Sequence, residues 1–514
     1  MIPHAPIFAI FLPLFAAFLL PVIGILARRR GVKRAREWFA IACVLAELVV
    51  VISMLPDVGG GQAILYKLGN WDPPWGIALT IDGLNMLAAL IVSGISALVV
   101  VYSFVYMERD TGLDQYYTLL MLVLAGMMGI VLTGDIFNLY VFFEIMCISS
   151  YALVAFRRNR QSIEAGIKYM IVSSLGTSFI ILGVAFLYGL VGSLNIAHLA
   201  QKLPLEPAST LIAPLAFFMV GFGIKIAMVP LHMWMPDAYQ AAPSAVAALF
   251  SGATATVGVY AMVRVVYMLF GAFGIGAMFA GLGLVTMVLG ALMALVQRDL
   301  KRLLAYSGIS QLGYILVGIG LGNLAAADPT SLAAIHGVQG GLFHLLNNAI
   351  YKTMLFMIAG ALVYRVGTSD MDRLGGLWKN MPVTGTLFGV GALAISGVPP
   401  FNGFASKWTI YVAGVEAGQS GYWPGYLFTI VALITSALTL AYFLKAFNNI
   451  FLGQRPDHLT DVKETPLSMM FPIMILAVLC IVFGVLPQLG IDIIRPAQEA
   501  VMNSSGYIHA VLGV

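Results

Sequence analysis

Apolar runs of about 20 residues, each long enough to cross the hydrocarbon core of a bilayer, recur along the whole chain. Counted from the N-terminus they come to about fourteen, all expected to be helical, because backbone polar groups in lipid must be satisfied within the segment or within a closed barrel. With 60% hydrophobic and only 10% charged residues, and a mean hydropathy of +0.94, too few polar side chains exist to coat a soluble globule. The chain therefore reads as an all-α polytopic membrane protein, with no strands expected. The first run, about 5–27, leads directly into Arg28-Arg-Arg-Gly-Val-Lys-Arg-Ala-Arg36. It reads as a permanent span, not a cleaved leader.

The basic residues report topology, not a nucleic-acid partner. Placing the N-terminus outside puts most of the 27 Lys and Arg residues in cytoplasmic loops, as the positive-inside rule demands. Both termini are then outside, in what we expect to be a prokaryotic plasma membrane. Lys67, Lys202, Arg264 and Arg495 fall at the outer edge, and Lys225, Lys352 and Lys407 lie within spans. Cys43, Cys147 and Cys480 are far apart in apolar segments, so neither a disulfide framework nor a cluster-binding spacing exists. His232, His336 and His344 make a poor haem set, and no phosphate loop is present. No cofactor and no metal are expected.

Two spans are broken in the same way. Span 7 (209–236) carries Lys225 and, five positions on, Pro230; span 12 (382–412) carries Pro399, Pro400, Gly403 and Lys407. Proline removes a backbone hydrogen bond, and the freed carbonyl needs a new partner. Five helices separate the two, which is the arrangement of an inverted repeat. The expected organisation is an N-terminal unit of spans 1–3 (1–107), a first five-helix repeat of spans 4–8 (115–268), a second of spans 9–13 (272–447), and a C-terminal helix and tail (466–514).

An ionisable group near the bilayer centre costs roughly 2.5–3.5 kcal/mol on the insertion scale, so each is a candidate functional residue. Glu144 follows Asp135 in span 5 and lies about 13 Å deeper at about 1.5 Å per residue. Lys225 is at comparable depth, which makes a Glu144–Lys225 pair reasonable; a purely structural ion pair is the plainer reading. In span 11, His344 and Asn348 share a face at i, i+4, with Lys352 one turn further, a ladder able to pass protons through water. A histidine bonded to a neighbouring helix, and snorkelling for Lys352 and Lys407, are the alternatives. His232 is placed to orient the break or feed protons to Lys225. Asp135 and Asp237 sit near span ends, Asp82 reads as an interface residue, and Glu47 and His336 are further intramembrane candidates without a partner.

Four separated motifs then carry a resemblance. Asp135-Ile-Phe-Asn-Leu-Tyr-Val-Phe-Phe-Glu144, Lys225 with Pro230-Leu-His-Met-Trp-Met-Pro-Asp237, Asp299-Leu-Lys-Arg-Leu-Leu-Ala-Tyr-Ser307 and Gly397-Val-Pro-Pro-Phe-Asn-Gly-Phe-Ala-Ser-Lys407 resemble the antiporter-like subunits. These subunits are shared by Mrp sodium/proton antiporters, respiratory complex I and membrane-bound hydrogenases. The likeness spans about residues 80–450 and leans toward the D-type subunit of Mrp antiporters and the equivalent H-type subunit of membrane-bound hydrogenases. It implies a charge pair of Glu144 with Lys225 and a polar axis through His344 and Lys352 to Lys407. Thr256 stands where many relatives carry a span 8 lysine, and Asn348 where some carry a second histidine.

The function this implies is proton or sodium translocation by one subunit of a larger membrane complex, with no redox centre of its own. Its partners would be other membrane subunits, H+ or Na+, and the bilayer, with no nucleic acid. A structural scaffold that has lost transport is the alternative, favoured by Thr256 and Asn348. A quinone-binding redox role lacks any dedicated site.

Overall fold

The structure is a computed structural model that describes residues 2–32, 34–58, 63–324 and 331–513. Among these residues thirteen helices are long and apolar enough to cross a membrane. The fourteenth expected crossing, span 12, is present as two shorter pieces, Pro382–Ser396 and Asn402–Gln419. Span 7 likewise ends as a helix at Lys225 (Ala208–Lys225) and resumes at Trp234 (Trp234–Ala241). Both breaks contain a cis X–Pro bond, Val229–Pro230 and Pro399–Pro400.

Helix starts follow local capping chemistry. Asp82 opens span 3 (Gly83–Tyr106) with a reciprocal capping box, its Oδ1 accepting from the Leu84 and Asn85 N–H groups while Asn85 Oδ1 accepts from the Asp82 N–H. Asp135 opens span 5 (Ile136–Val154) by accepting from Asn138 N–H at 2.8 Å. Span 6 is Arg160–Val191, and span 8, Ser244–Phe270, carries π-helical turns at Phe250–Thr254 and Val263–Tyr267.

The expectation of no strands is corrected. Ile64–Lys67 and Ala78–Ile81 pair antiparallel, Ile64 opposite Ile81. Between spans 2 and 3 the chain carries β-prone residues (Ile64, Tyr66, Thr80, Ile81), and Pro73, Pro74 and Gly76 force the return. The second strand is wholly buried and feeds straight into span 3. Past span 14 (Leu467–Val485), the tail forms the helices Pro487–Met502 and Ser504–Leu512.

Burial sorts the spans into a centre and a rim. The apolar windows of span 8 and span 10 (Leu300–Leu324) are 94% buried, whereas those of span 2 and span 13 (Pro424–Leu452) are 33% buried and leave residues such as Leu45, Val49 and Ile434 exposed. Close approach at the centre relies on glycine. Gly276, Gly283 and Gly290 of span 9 (Gly276–Leu295) face Gly320, Gly313 and Ser310 of span 10, a small-residue seam. A Cβ at Gly313 would lie 2.4 Å from the Met287 backbone nitrogen. Gly313→Val is accordingly expected to force spans 9 and 10 apart and to destabilise the protein by about 1–3 kcal/mol or more, seen as a lower thermal midpoint in detergent.

Candidate functional site

Lys225 is the last residue of the first half of span 7, at the carbonyl end of that half-helix, where a cation is favoured. Its Nζ donates to the Ser173 carbonyl at 2.8 Å and to Ser173 Oγ at 2.7 Å, and lies 3.2 Å from Cys147 Sγ and 5.9 Å from the Phe143 ring centroid. The break is held by substitutes for the lost helical bonds. Trp234 Nε1 donates to the Ile224 carbonyl at 2.9 Å, Val229 N–H donates to Thr286 Oγ1, and Ala227 takes a left-handed φ of 55°. Tyr169 stacks flat on Trp234 with centroids 4.2 Å apart.

Glu144 does not join this cluster, and the expected Glu144–Lys225 contact is corrected. Phe143 and Cys147 are the span 5 residues that reach Lys225, while Glu144 lies half-buried on the stripe of exposed Val141 and Ile148. No hydrogen bond or ion pair holds it among the described residues. Among the described residues His232 makes no hydrogen bond to Lys225 either, and its ring is 6.4 Å from that of Tyr306. Asp237 ties spans 6, 7 and 10 together by pairing with Lys168 at 3.2 Å and Arg302 at 2.7 Å.

A second cluster lies between spans 10, 11 (Leu332–Val366), 12 and 13. His344 Nδ1 is 2.9 Å from Ser406 Oγ, and its Nε2 is 3.2 Å from Gln311 Oε1 and 3.3 Å from the Tyr351 hydroxyl. Lys352 Nζ donates to Ser307 Oγ at 2.7 Å and to the Leu304 carbonyl. Lys407 Nζ donates to the Ile395 carbonyl at 2.9 Å and to Ser436 Oγ at 3.0 Å, and sits 4.5 Å from the Tyr314 ring centroid. Lys352 and Lys407 are each 1% exposed, so neither snorkels to a surface. Like Lys225, Lys407 places its ammonium at the carbonyl end of the first half of a broken helix.

Span 10 supplies the residues that the sequence reading missed. Ser307, Gln311 and Tyr314 recur at i, i+4 and i+7 on one face, and meet Lys352, His344 and Lys407 in turn. A polar stripe in a span otherwise suited to lipid was the available signal. Ser406 and Ser173 carried none, since serine is unremarkable in a membrane helix.

Between the two clusters, the span 8 hydroxyls form no bridge among the described residues. Thr256 Oγ1 donates to its own helix at Gly252 O (2.6 Å), as Ser251 does to Ala248 O, while Thr254 reaches only Met127 Sδ. Asn348 is buried with Oδ1 unpartnered among the described residues, whereas its neighbour Asn347 pairs with Asn402 at 3.0 Å. Arg264, read from sequence as an outer-edge residue, is instead fully buried, 2.6 Å from Asp82 Oδ1 and 2.8 Å from Asn85 Oδ1, under the Tyr507 ring. No group of three or more His, Cys, Asp or Glu suited to a metal occurs among the described residues.

This is a multi-pass helical membrane protein of the broken-helix type, with the ammoniums of Lys225 and Lys407 at the ends of half-helices and polar side chains of span 10 set between Lys352 and Lys407. The chain belongs to the NADH:quinone oxidoreductase/Mrp antiporter transmembrane family, whose model matches residues 133–439. A second model, the N-terminus of complex I chain 5, matches residues 68–117. It is 36% identical to the N-type subunit of NADH-quinone oxidoreductase from Desulforudis audaxviator, over 94% of this chain and 96% of that one. It is 33% identical to the A-type subunit of the Na(+)/H(+) antiporter of Alkalihalophilus pseudofirmus over 95% of this chain but only 62% of the relative, so it spans less than two thirds of that protein. Among solved structures it superposes with a TM-score of 0.86 on a chain of the Mrp complex from Dietzia sp. DQ12-45-1b, at 27% identity over 98% of this chain and 99% of that one. The same score, at 32% identity and the same coverage, relates it to a chain of the membrane-bound sulfane sulfur reductase, an archaeal respiratory membrane complex.

Proposed function

We propose that this chain is a proton- or sodium-translocating subunit of a multisubunit membrane complex, an Mrp-type antiporter or a related respiratory assembly, seated in a prokaryotic plasma membrane with both termini outside. The observation that carries this reading is that Lys225, Lys352 and Lys407 are all buried, and that each ammonium is held by carbonyl, hydroxyl or thiol groups and by no carboxylate among the described residues. A lysine without a counter-ion in lipid adds little to stability and much to function. Family membership and relatives from sodium/proton antiporters agree with it.

The proton route runs along these polar side chains, through the hydrogen bonds Lys352–Ser307, Gln311–His344 and His344–Ser406, with water completing the steps from Ser307 to Gln311 and from Ser406 to Lys407. Lys352 passes a proton through Ser307 and Gln311 to His344, and His344 through Ser406 to the Lys407 end of span 12. The ring of His344 accommodates either tautomer, because Ser406 Oγ and the Tyr351 hydroxyl can each donate or accept. Lys225 forms the entry half, and water admitted at the span 7 break and span 8 connects it to Lys352. Glu144, on the outward face of span 5, is turned toward a neighbouring chain of the complex and acts on Lys225 through that contact. Moving one charge against 100 mV needs about 2.3 kcal/mol, which the partner subunits supply.

The closed hydroxyls of span 8 favour the scaffold as second reading. Ion uptake in inverted vesicles carrying the whole complex, with sodium varied, separates the two. Lys407→Met is expected to lower uptake at least tenfold with assembly intact, and the sodium dependence of wild type names the cargo. Unchanged uptake in an assembled Lys407→Met complex would favour the scaffold.

A further inference from the structure

Span 2 (Ala35–Ile52) turns one stripe inward, formed by Glu37, Ala40, Val44, Glu47 and Val51, at alternating steps of three and four residues. Glu47 thus occupies a core position between two valines. It is 0% exposed, and neither of its carboxyl oxygens has a hydrogen-bond partner among the described residues. A carboxyl placed for packing would be better replaced by leucine, and one placed for a structural bond would have that bond.

Its surroundings fix what it holds. Span 2 packs on spans 1 (Ala5–Arg30) and 3, and less on span 4 (Leu113–Leu132). Trp38 meets Phe104 with ring centroids 5.1 Å apart, and Arg34 pairs with Glu108 at 2.9 Å, so spans 2 and 3 run antiparallel. Counting equally along each helix from that contact, at about 1.5 Å per residue, brings Glu47 level with Ile95 and next to Ser96 in depth. Ser96 Oγ is also buried and has no hydrogen-bond partner among the described residues.

Titratable groups facing this seam are few. Cys43 is one turn away on span 2; span 1 has Arg28, Arg29 and Arg30 at its end; span 3 has Tyr102 and Tyr106 toward the same end, and Asp82 at the far cap; span 4 has Asp114, Tyr116 and Tyr117. No cation stands at the depth of Glu47 among the described residues of these spans.

We propose that Glu47 is a proton-binding site in the seam of spans 1, 2 and 3, separate from the lysine axis. The ligand is a proton because a bare metal cation needs several oxygens at once, and within spans 1–3, among the described residues, Ser96 Oγ is the one further buried and unpartnered side-chain oxygen away from the helix ends. Protons reach the seam from its basic end. There a cavity of about 650 Å³ is lined by Arg28, Arg34, Arg36, Glu37 and Glu108. Glu37 shares the inward stripe with Glu47, and its Oε2 is buried with no hydrogen-bond partner among the described residues.

Infrared difference spectroscopy of the purified complex in lipid, titrated in H2O and D2O, tests this without relying on transport, so it stands or falls apart from the lysine reading. Wild type is expected to show the carbonyl stretch of a protonated, deuterium-sensitive carboxyl at neutral pH that is lost in both Glu47→Gln and Glu47→Leu. Glu47→Leu, which completes an apolar stripe, is expected to melt no lower than wild type. Spectra that superimpose for wild type and both variants overturn the proposal. Conversion of the band to a carboxylate by added sodium overturns the proton as ligand, and a large fall in the Glu47→Leu melting temperature would show a structural bond instead.

Discussion

Replacing His344 with leucine is expected to lower proton movement by about 10²-fold or more, the scale on which a positioned acid–base group contributes. Among the described residues, the imidazole is the one side chain that hydrogen-bonds both Gln311 of span 10 and Ser406 of span 12. Leucine fills similar space but joins neither, so the file from Lys352 to Lys407 is cut in its middle. The stability cost is smaller, about 1–3 kcal/mol, because Gln311 is left without that partner, whereas Ser406 keeps Gly403 O at 3.3 Å. A pH-sensitive dye in vesicles reads the flux, and a melting curve of the same preparation shows that the fold survives. Flux near wild type would mean that protons bypass this file.

The second large effect is on the fold. Arg264 lies in the π-turn of span 8 and binds Asp82, the cap of span 3, and Asn85 one turn in, while Tyr507 covers it at 4.5 Å. One guanidinium thus ties spans 3 and 8 to the C-terminal helix. Removing one member of a buried pair strands the other, at a cost of about 3–5 kcal/mol. Arg264→Leu is expected to destabilise by that amount and to make the chain beyond Pro487 sensitive to protease. Asp82→Asn added to Arg264→Leu should recover part of the loss, since asparagine caps a helix about as well as aspartate and carries no charge to strand. No recovery in the double variant would show that packing, not charge, dominates there.

The contrast between what was legible in the sequence and what was not has one physical source. Hydropathy and helical rise fix where a residue lies along a span, so the crossings, the two proline breaks and the presence of Lys225, Lys352 and Lys407 within spans were readable. They do not fix which neighbour a residue faces. Residue counting sets Glu144 and Lys225 level, but Cys147, one turn on, takes the contact instead. Lys407 looked free to reach a surface until its helix folded back on Ile395. Arg264 counted as an outer charge because its partner, Asp82, lies far away in sequence. Gln311 and Ser307 gained meaning only once span 10 was placed between Lys352 and His344. The strand pair was missed because two runs of four residues are too short to stand out among helices of about 20.

A lysine that carries protons must release one in each turnover, and Lys225 is where this can be checked without ambiguity. Charge movement across vesicles should be recorded for the assembled complex with Lys225→Ala and with Lys225→Arg. Arginine keeps the positive charge at the end of the half-helix but does not deprotonate in proteins. Both variants are expected to assemble and both to lose transport. Transport retained by Lys225→Arg would contradict this, since a fixed charge at the span 7 break would then suffice.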